Sequence, residues 1–447
     1  MNLRPAEPTV PTPWLPAVVA LVVGFGWRML LVSQTPTAFA YDGFQRWAGR
    51  DHLLIQDWLP AAQLWVWAVA QLGGGLVEGR AAMALVSAVA AAMGTLLAQR
   101  LAAPRFGEAR AVWAGWAFVA ASTTPAWTSW GTVFYQESTF LLFLFAAFWA
   151  GAAGHLRLGD VLVGALGLVR YEGWVVVAAW AVWRRTPQAA VAAWGPLVWL
   201  AIKALGIHGY AASPTDFADW NGLVERFRFA AWWADVGNFG GRLWGSGGVV
   251  WFGLGAVALW LHRADPVARL VAFAAVAQLG ITLAWIAGLE VATSRMVVVP
   301  VVVAAVLGAS AVPWALRWRH AGWALLVVLV ASVGVQLVEG RDRVRGEARH
   351  FRPEAEALEV MLAECPGCRW WVVPRAGLGS RARHDGCEVL QGISTLRAGR
   401  EFECARWLDE AARPALEAAT DGSVRWDADK KAYRVERHLS DAAILPD

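Results

Sequence analysis

Long apolar segments, almost free of charge, recur through roughly the first three quarters of the chain. Of all residues, 57% are hydrophobic and only 17% are charged. A soluble protein of this size needs more polar surface, so the pattern predicts a polytopic membrane protein built mainly of α-helices. The 30 tryptophans fit this class, because the amphipathic indole favours the membrane–water interface. The small net charge of +4, with basic residues scattered singly, argues against a nucleic-acid-binding protein.

About eleven membrane spans are predicted, at residues 14–33, 81–98, 111–124, 138–153, 159–169, 173–183, 189–205, 247–261, 267–289, 296–316 and 321–338. The apolar stretch 61–72 is short for a span, which needs about 20 residues, and is predicted to lie along the membrane surface. With this assignment every short basic cluster, including those at Arg105 and Arg184, falls on one side. The positive-inside rule makes that side cytoplasmic. The N-terminus is then cytoplasmic and the C-terminus extracytoplasmic, in the inner (plasma) membrane.

Three regions differ in composition. Residues 1–13 are proline-rich and predicted to be disordered, and residues 14–338 form the membrane domain, whose first outer loop with its interfacial helices spans 34–80. Residues 339–447 have the charge content of a small soluble α/β domain, here predicted to be extracytoplasmic, with a hairpin near residues 423–438. All four cysteines lie in this region: Cys365, Cys368, Cys387 and Cys404. Disulfides are favoured over zinc because a second Cys-x-x-Cys is missing, and three pairings remain open.

The first outer loop is the richest in candidate functional residues. It carries Tyr41, Asp42 and Arg46, and continues to Asp57. A carboxylate at the membrane surface can serve as a general base or bind a divalent cation through its oxygens. An Asp-Gly pair such as Asp42-Gly43 is also common in turns. The alternative is therefore a solvated connector without chemistry.

Two further acidic or basic positions lie on the predicted outer side. Glu137 opens the span 138–153, where an acid either stabilises the helix start or faces the same cavity as Asp42. Arg170, Tyr171 and Glu172 occupy a tight break between two apolar segments. Arg170 can bind a phosphate in bidentate fashion, or it can simply pair with Glu172 at the interface.

Three more basic residues lie in or beside predicted spans. Arg295 precedes the span 296–316 and is a second candidate for binding a phosphate. Lys203 is a third, although snorkelling of its side chain explains its position equally. Arg28, in the outer third of the first span, either extends to the interface or faces a polar cavity.

The order and topology of these motifs resemble those of membrane glycosyltransferases of the C-type fold (GT-C). This superfamily includes the protein O-mannosyltransferases, the aminoarabinose transferases that modify lipid A, and many bacterial relatives. The resemblance covers roughly residues 14–338, and five segments carry it: Asp42, Asp57-Trp58-Leu59-Pro60, Tyr135-Gln136-Glu137-Ser138, Leu168-Val169-Arg170-Tyr171-Glu172-Gly173, and Ser294-Arg295 with Pro300. Two positions depart from the family pattern, since Gly43 replaces a second acid and Leu59-Pro60 replaces Pro-Pro.

The resemblance implies an inverting transfer of a sugar from a polyprenyl-phosphate donor to a glycan, lipid or protein acceptor on the outer, cell-envelope face. Asp42 would be the general base, and Arg170 and Arg295 would stabilise the leaving lipid phosphate. From their own positions, Glu137 is a second catalytic candidate and Lys203 a weaker candidate for binding the donor phosphate. No cofactor is required, although a divalent metal ion is compatible with the site. A transporter or flippase of a lipid-linked or anionic substrate is the main alternative, but no internal repeat is evident. A membrane-anchored binding or assembly protein is a third.

Overall fold

The computed structural model describes residues 13–36, 43, 46–47, 49–55, 58–207, 229–289, 294–364, 401–402, 424–427 and 432–435. Its helices are α1 (Leu15–Gln34), α2 (Gln63–Gln71), α3 (Leu76–Phe106), α4 (Glu108–Ala121), α5 (Pro125–Trp130), α6 (Glu137–Ala152), α7 (Leu156–Leu166), α8 (Glu172–Arg184), α9 (Trp194–Ala204), α10 (Phe229–Gly245), α11 (Gly248–Leu261), α12 (Pro266–Leu289), α13 (Val298–Ala315) and α14 (Arg319–Glu364). Two 3₁₀ helices, Pro187–Ala193 and Ser294–Val297, precede α9 and α13. The described chain is therefore a helical bundle, as predicted.

Five helices of the described chain are long and apolar enough to cross a membrane: Leu15–Gln34, Leu76–Phe106, Pro266–Ala284, Val298–Ala315 and Gly322–Gly346. A sixth span arises if α10 and α11, which meet at a bend of 78°, count as one. The protein is thus an integral membrane protein. The other predicted spans coincide with α4, α6, α7, α8 and α9, which have 11 to 16 residues. Because a full crossing needs about 20 residues, the count of eleven spans stays a prediction.

Helix α2 is the short apolar segment of the first outer loop. It has nine residues and therefore extends only about 13 Å. A hydrocarbon core about 30 Å thick cannot be crossed by a helix of this length. The exclusion of this segment from the spans is consistent with its observed length, and its orientation along the membrane surface remains a prediction.

Helix α13 is the centre of the bundle. Every residue from Val298 to Pro313 is buried, so this helix is apolar on all sides and is enclosed by its neighbours. It packs closely against α11 at Gly308, where a Cβ atom would lie 3.0 Å from the carbonyl oxygen of Trp251. Small residues of this kind allow two membrane helices to approach without a gap.

Helix α14 continues well past the end of the last predicted span. It contains 46 residues from Arg319 to Glu364, so its length is about 69 Å. The predicted domain boundary at residue 338 lies inside this helix, because the sequence becomes charged there while remaining compatible with a helix.

The three described strands, Glu401–Phe402, Val424–Asp427 and Ala432–Val435, form an antiparallel sheet. The predicted pairing of the last two strands is present, with Trp426 opposite Tyr433.

The basic residues that end several helices lie together at one end of the bundle. Arg105 at the end of α3 donates to the carbonyl oxygen of Leu261 at the end of α11, at 2.6 Å. Arg317, just after α13, lies 5.1 Å over the ring of Phe106. Arg100 of α3 donates to the carbonyl oxygen of Ala152, the last residue of α6. These basic residues, which the sequence analysis assigned to one side of the membrane, therefore also lie at one end of the folded bundle.

We expect this basic end to be cytoplasmic and Arg170 and Asp447 to lie on the opposite side, with Asp42. In a variant lacking the four native cysteines, Arg105→Cys should react with a membrane-impermeant maleimide only after permeabilisation. Asp51→Cys, in the exposed part of the outer loop, should react in intact cells. Labelling of position 105 from outside would reverse the orientation.

Arg80 is a buried cation that connects the start of α3 with the end of α1 and the turn before α6. Its side chain is 0% exposed and lies in the first turns of α3. Nε donates to the carbonyl oxygen of Thr132 at 3.0 Å, and Nη1 donates to the carbonyl oxygen of Thr35 at the end of α1. Thr35 directly follows α1 and Thr132 lies in the turn before α6, so Arg80 fixes the end of α1 against that turn.

Arg80→Met should lower the free energy of unfolding by at least about 2 kcal/mol, because two buried carbonyls lose a charged donor. Thermal unfolding in detergent, followed by tryptophan fluorescence, measures the effect. Arg100→Met is the matched control, since Arg100 is exposed and makes one bond to a helix-end carbonyl. Equal unfolding temperatures for the two variants would contradict the structural role of Arg80.

Candidate active site

A polar cavity of about 220 Å³ lies opposite the basic end of the bundle. Four parts of the chain form its walls: the first outer loop, the residue before α6, the break between α7 and α8, and the second half of α12 together with the start of α13. The lining residues are Arg46, Trp58, Leu59, Gln136, Val169, Arg170, Tyr171, Glu172, Gln278, Thr282, Met296, Val299 and Pro300. The cavity therefore combines charged groups with apolar walls.

Arg170 is the centre of the charge cluster. Its Nη1 contacts Glu137 Oε1 at 2.7 Å, and its Nη2 contacts Glu172 Oε1 at 2.5 Å. Nε also donates to Glu172 Oε2 at 3.2 Å, so the contact with Glu172 is bidentate. Glu137 is 1% exposed, whereas Glu172 and Arg170 are 11% and 15% exposed. The ion pair between Arg170 and Glu172, which was one of the two interpretations of the sequence, is present. Arg170 also forms a second ion pair, with Glu137.

The local sequence explains why the break holds Arg170 in this place. Helix α7 ends at Leu166 and α8 begins at Glu172, and the chain reverses in between. Gly173 permits the reversal, because a Cβ atom there would lie 2.7 Å from the carbonyl oxygen of Leu166. The amide of Ala61 donates to the carbonyl oxygen of Leu168 at 3.0 Å, which attaches the outer loop to the break.

Arg46 brings the outer loop to the same cavity. Its side chain is 3% exposed, its Nη2 donates to Gln136 Oε1 at 3.2 Å, and its guanidinium lies 4.6 Å over the ring of Trp58. Gln63 of α2 donates to the backbone carbonyl of Arg46 at 3.0 Å. Helix α2 thus positions the loop, and the loop positions Arg46 beside Gln136, the residue that precedes Glu137.

Tyr171 and Lys203 are connected through Trp199. The indole Nε1 of Trp199 donates to the Tyr171 hydroxyl at 3.1 Å, and partial burial raises the pKa of Tyr171. Tyr171 is therefore a neutral phenol at physiological pH. Lys203 Nζ lies 4.9 Å over the ring of Trp199 and does not line the cavity.

Several predicted site residues thus converge on one cavity, and others fall outside the part of the chain that the structure describes. Arg46, Arg170, Tyr171 and Glu172 line one cavity, and Glu137 contacts it through Arg170. Tyr41, Asp42, Asp57 and the side chain of Arg295 lie outside the described residues.

Gly43, the residue after Asp42, packs against Phe134 three residues before Glu137. Met296 and Pro300 of the late arginine–proline segment also line the cavity.

Sequence reasoning did not find Gln136, Gln278 and Thr282 as lining residues. Gln278 is 3% exposed and lies in α12, where almost all its neighbours are apolar. A lone amide inside an apolar span was a usable signal, because polar groups at membrane depth are costly and tend to face a polar site. No group of three or more potential metal ligands occurs within the described ranges.

Among known proteins, the chain shows similarity to solved structures but not to family models or curated sequences. No family model matches the chain, and no curated protein sequence matches it. ArnT from Cupriavidus metallidurans, in the apo state, is similar over 77% of this chain and 70% of its own, with 15% identity and a TM-score of 0.45. The Archaeoglobus fulgidus oligosaccharyltransferase, in complex with zinc and sulfate, is similar over 79% of this chain, with 12% identity and a TM-score of 0.43.

Both of these proteins are GT-C glycosyltransferases, the class that the sequence motifs resemble. The chain spans 55% of the length of the oligosaccharyltransferase.

Proposed function

We propose that the protein is a membrane glycosyltransferase that moves a sugar from a polyprenyl-phosphate donor to an acceptor on the extracytoplasmic face. One observation carries the proposal: guanidinium and carboxylate groups from three separate segments meet at one cavity with apolar walls, where α6 and α8 begin and α7 ends. A substrate with an anionic head and a long apolar tail suits this combination. Charged groups at membrane depth are costly, so their convergence favours a functional site.

The donor phosphate would bind at Arg46 and Arg170. A guanidinium offers a planar pair of donors that matches phosphate oxygens. Arg170 is already bonded to two carboxylates, of which Glu137 is the more deeply buried. Glu137 would therefore hold Arg170 in place, whereas Glu172, which lines the cavity, would exchange with the phosphate. Arg295 would add a further positive charge from the segment that contains Met296, and Lys203 would act only through Trp199.

The transfer would proceed by displacement at the anomeric carbon. The oxygen or nitrogen of the acceptor attacks this carbon, and Asp42 removes the proton from the acceptor. The bond between the anomeric carbon and the phosphate oxygen breaks, and its electron pair stays on the lipid phosphate. Arg46 and Arg170 stabilise the negative charge that develops there. A single displacement of this kind inverts the configuration of the sugar.

A transfer assay with the full-length protein in liposomes tests the proposal. The donor is a polyprenyl-phosphate sugar with a radiolabelled sugar, and the acceptor is an extract of envelope lipids and glycans. We expect the label to move to the acceptor while polyprenyl phosphate is released. Arg46→Gln should abolish this, and Arg100→Gln, at the opposite end of the bundle, should not. Movement of the intact donor across the bilayer without release would instead identify a flippase.

A further inference from the structure

A second cavity, of about 540 Å³, lies between α1, α4 and α14. It is called here the α1 groove. Its walls are almost entirely apolar and include Val19, Val23, Trp113, Val119, Val330 and Val333. It shares no lining residue with the cavity around Arg170. Its volume is in the range of sites that bind small molecules, about 300–1,000 Å³.

The groove contains one charged side chain, that of Arg28. Arg28 is 2% exposed, so it does not extend to the membrane surface, and the interpretation that it faces a cavity is the one observed. Gly24 makes room for it, since a Cβ atom at this position would lie 3.3 Å from Arg28 Nη1. The guanidinium also lies 5.5 Å over the ring of Trp127.

The positive charge of Arg28 is not compensated within the described residues. Its Nη1 and Nη2 donate to the backbone carbonyls of Gly24 and Ser122, at 3.2 and 3.4 Å. Its Nε is buried without a hydrogen-bond partner, and no described carboxylate forms an ion pair with it. A buried guanidinium without an anion is unfavourable in a membrane, so an anion from outside the chain would stabilise it.

We propose that the α1 groove binds an anionic amphiphile, with its charged head at Arg28 and a single apolar chain along α1. Ser122, Thr123 and Thr128 also line the groove, and the backbone carbonyl of Ser122 accepts a hydrogen bond from Arg28 Nη2. From Arg28 the apolar wall extends along α1 to Val19, a distance of about 13 Å. The single charge and the apolar length together match a fatty acid or an alkyl phosphate. This site is independent of the proposed transfer reaction.

Native mass spectrometry of the full-length protein, released from a neutral detergent, tests the proposal. The probes are dodecyl phosphate, dodecanoate and the neutral dodecanol, which share one chain length. We expect both anions to bind and dodecanol to bind far more weakly. Arg28→Gln should reduce binding of the anions about tenfold or more, because charge-assisted hydrogen bonds are lost. Arg100→Gln should bind the anions as the wild type does. The stronger of the two anions identifies the head group as carboxylate or phosphate.

Two outcomes would overturn the proposal. One is equal binding of dodecanol and dodecyl phosphate to the wild type. The other is anion binding that survives in Arg28→Gln and is lost in Arg46→Gln, which would assign the ligand to the cavity around Arg170. If Arg28→Gln does not fold, Val333→Trp fills the groove from a partly exposed position of α14. This variant should lose binding of all three probes, and wild-type binding by it would equally contradict the proposal.

Discussion

Asp42→Asn should lower the rate of sugar transfer by about 10²–10⁴, the usual effect of losing a general base. The asparagine keeps the size of the side chain but cannot accept the acceptor proton. Asp42 follows the first membrane helix, and its chain neighbour Gly43 packs near the turn that leads to Glu137. The variant should insert, fold and bind the donor, because asparagine has the size of aspartate and so introduces neither a cavity nor a clash.

Asp51→Asn is the matched control for this prediction. Asp51 lies in the same loop and is exposed, so its replacement should leave the transfer rate within a few-fold of the wild type. Initial rates at saturating donor, with donor binding measured separately, distinguish loss of the base from loss of affinity. Near-wild-type transfer by Asp42→Asn, together with a large loss in Asp51→Asn or Glu137→Gln, would assign the base to a different carboxylate.

Arg170→Ala should destabilise the protein by about 3–5 kcal/mol as well as abolish transfer, because it leaves the buried carboxylate of Glu137 without its cation. Thermal unfolding in detergent measures the loss of stability. Arg170→Lys should be milder in stability yet still poor in transfer, because an ammonium cannot replace the planar guanidinium.

The double variant Arg170→Ala/Glu137→Gln separates stability from function. Removing the charge of Glu137 should recover most of the unfolding temperature lost in Arg170→Ala, because the unpaired buried charge is gone. Transfer should remain absent, because the donor phosphate still lacks Arg170. Recovery of transfer in the double variant would show that Arg170 serves only to neutralise Glu137.

The sequence predicted the parts of the site that depend on short motifs at helix ends. Glu137 begins α6 as expected, and the break at Arg170 joins α7 to α8. These positions can be predicted from the sequence because an apolar segment ends abruptly at a charged residue. Each such end must then lie on one of the two sides of the membrane. The short length of α2 followed from the same counting of apolar residues.

Pairings across the bundle were not readable in this way. Arg80 contacts the end of α1 and the turn at Thr132, which are 45 and 52 residues away, so nothing local distinguishes it from a helix-end arginine. The continuity of α14 past residue 338 was not predicted, because the change from apolar to charged sequence was taken as the end of the last span; the domain boundary at this position stays a prediction. The change from apolar to charged residues shows only that the surroundings of the helix become polar. The helix itself continues, because the charged residues that follow also form helices.

A structure of the full-length protein with polyprenyl phosphate bound would test most directly whether the cavity around Arg170 is the transfer site. We expect phosphate density within hydrogen-bond distance of Arg46 or Arg170, with Glu172 displaced from its bidentate contact and Glu137 still bonded to Arg170. Lipid density should leave the cavity between apolar walls. Phosphate density found only at Arg28 in the α1 groove, with the Arg170–Glu172 contact unchanged, would contradict the account.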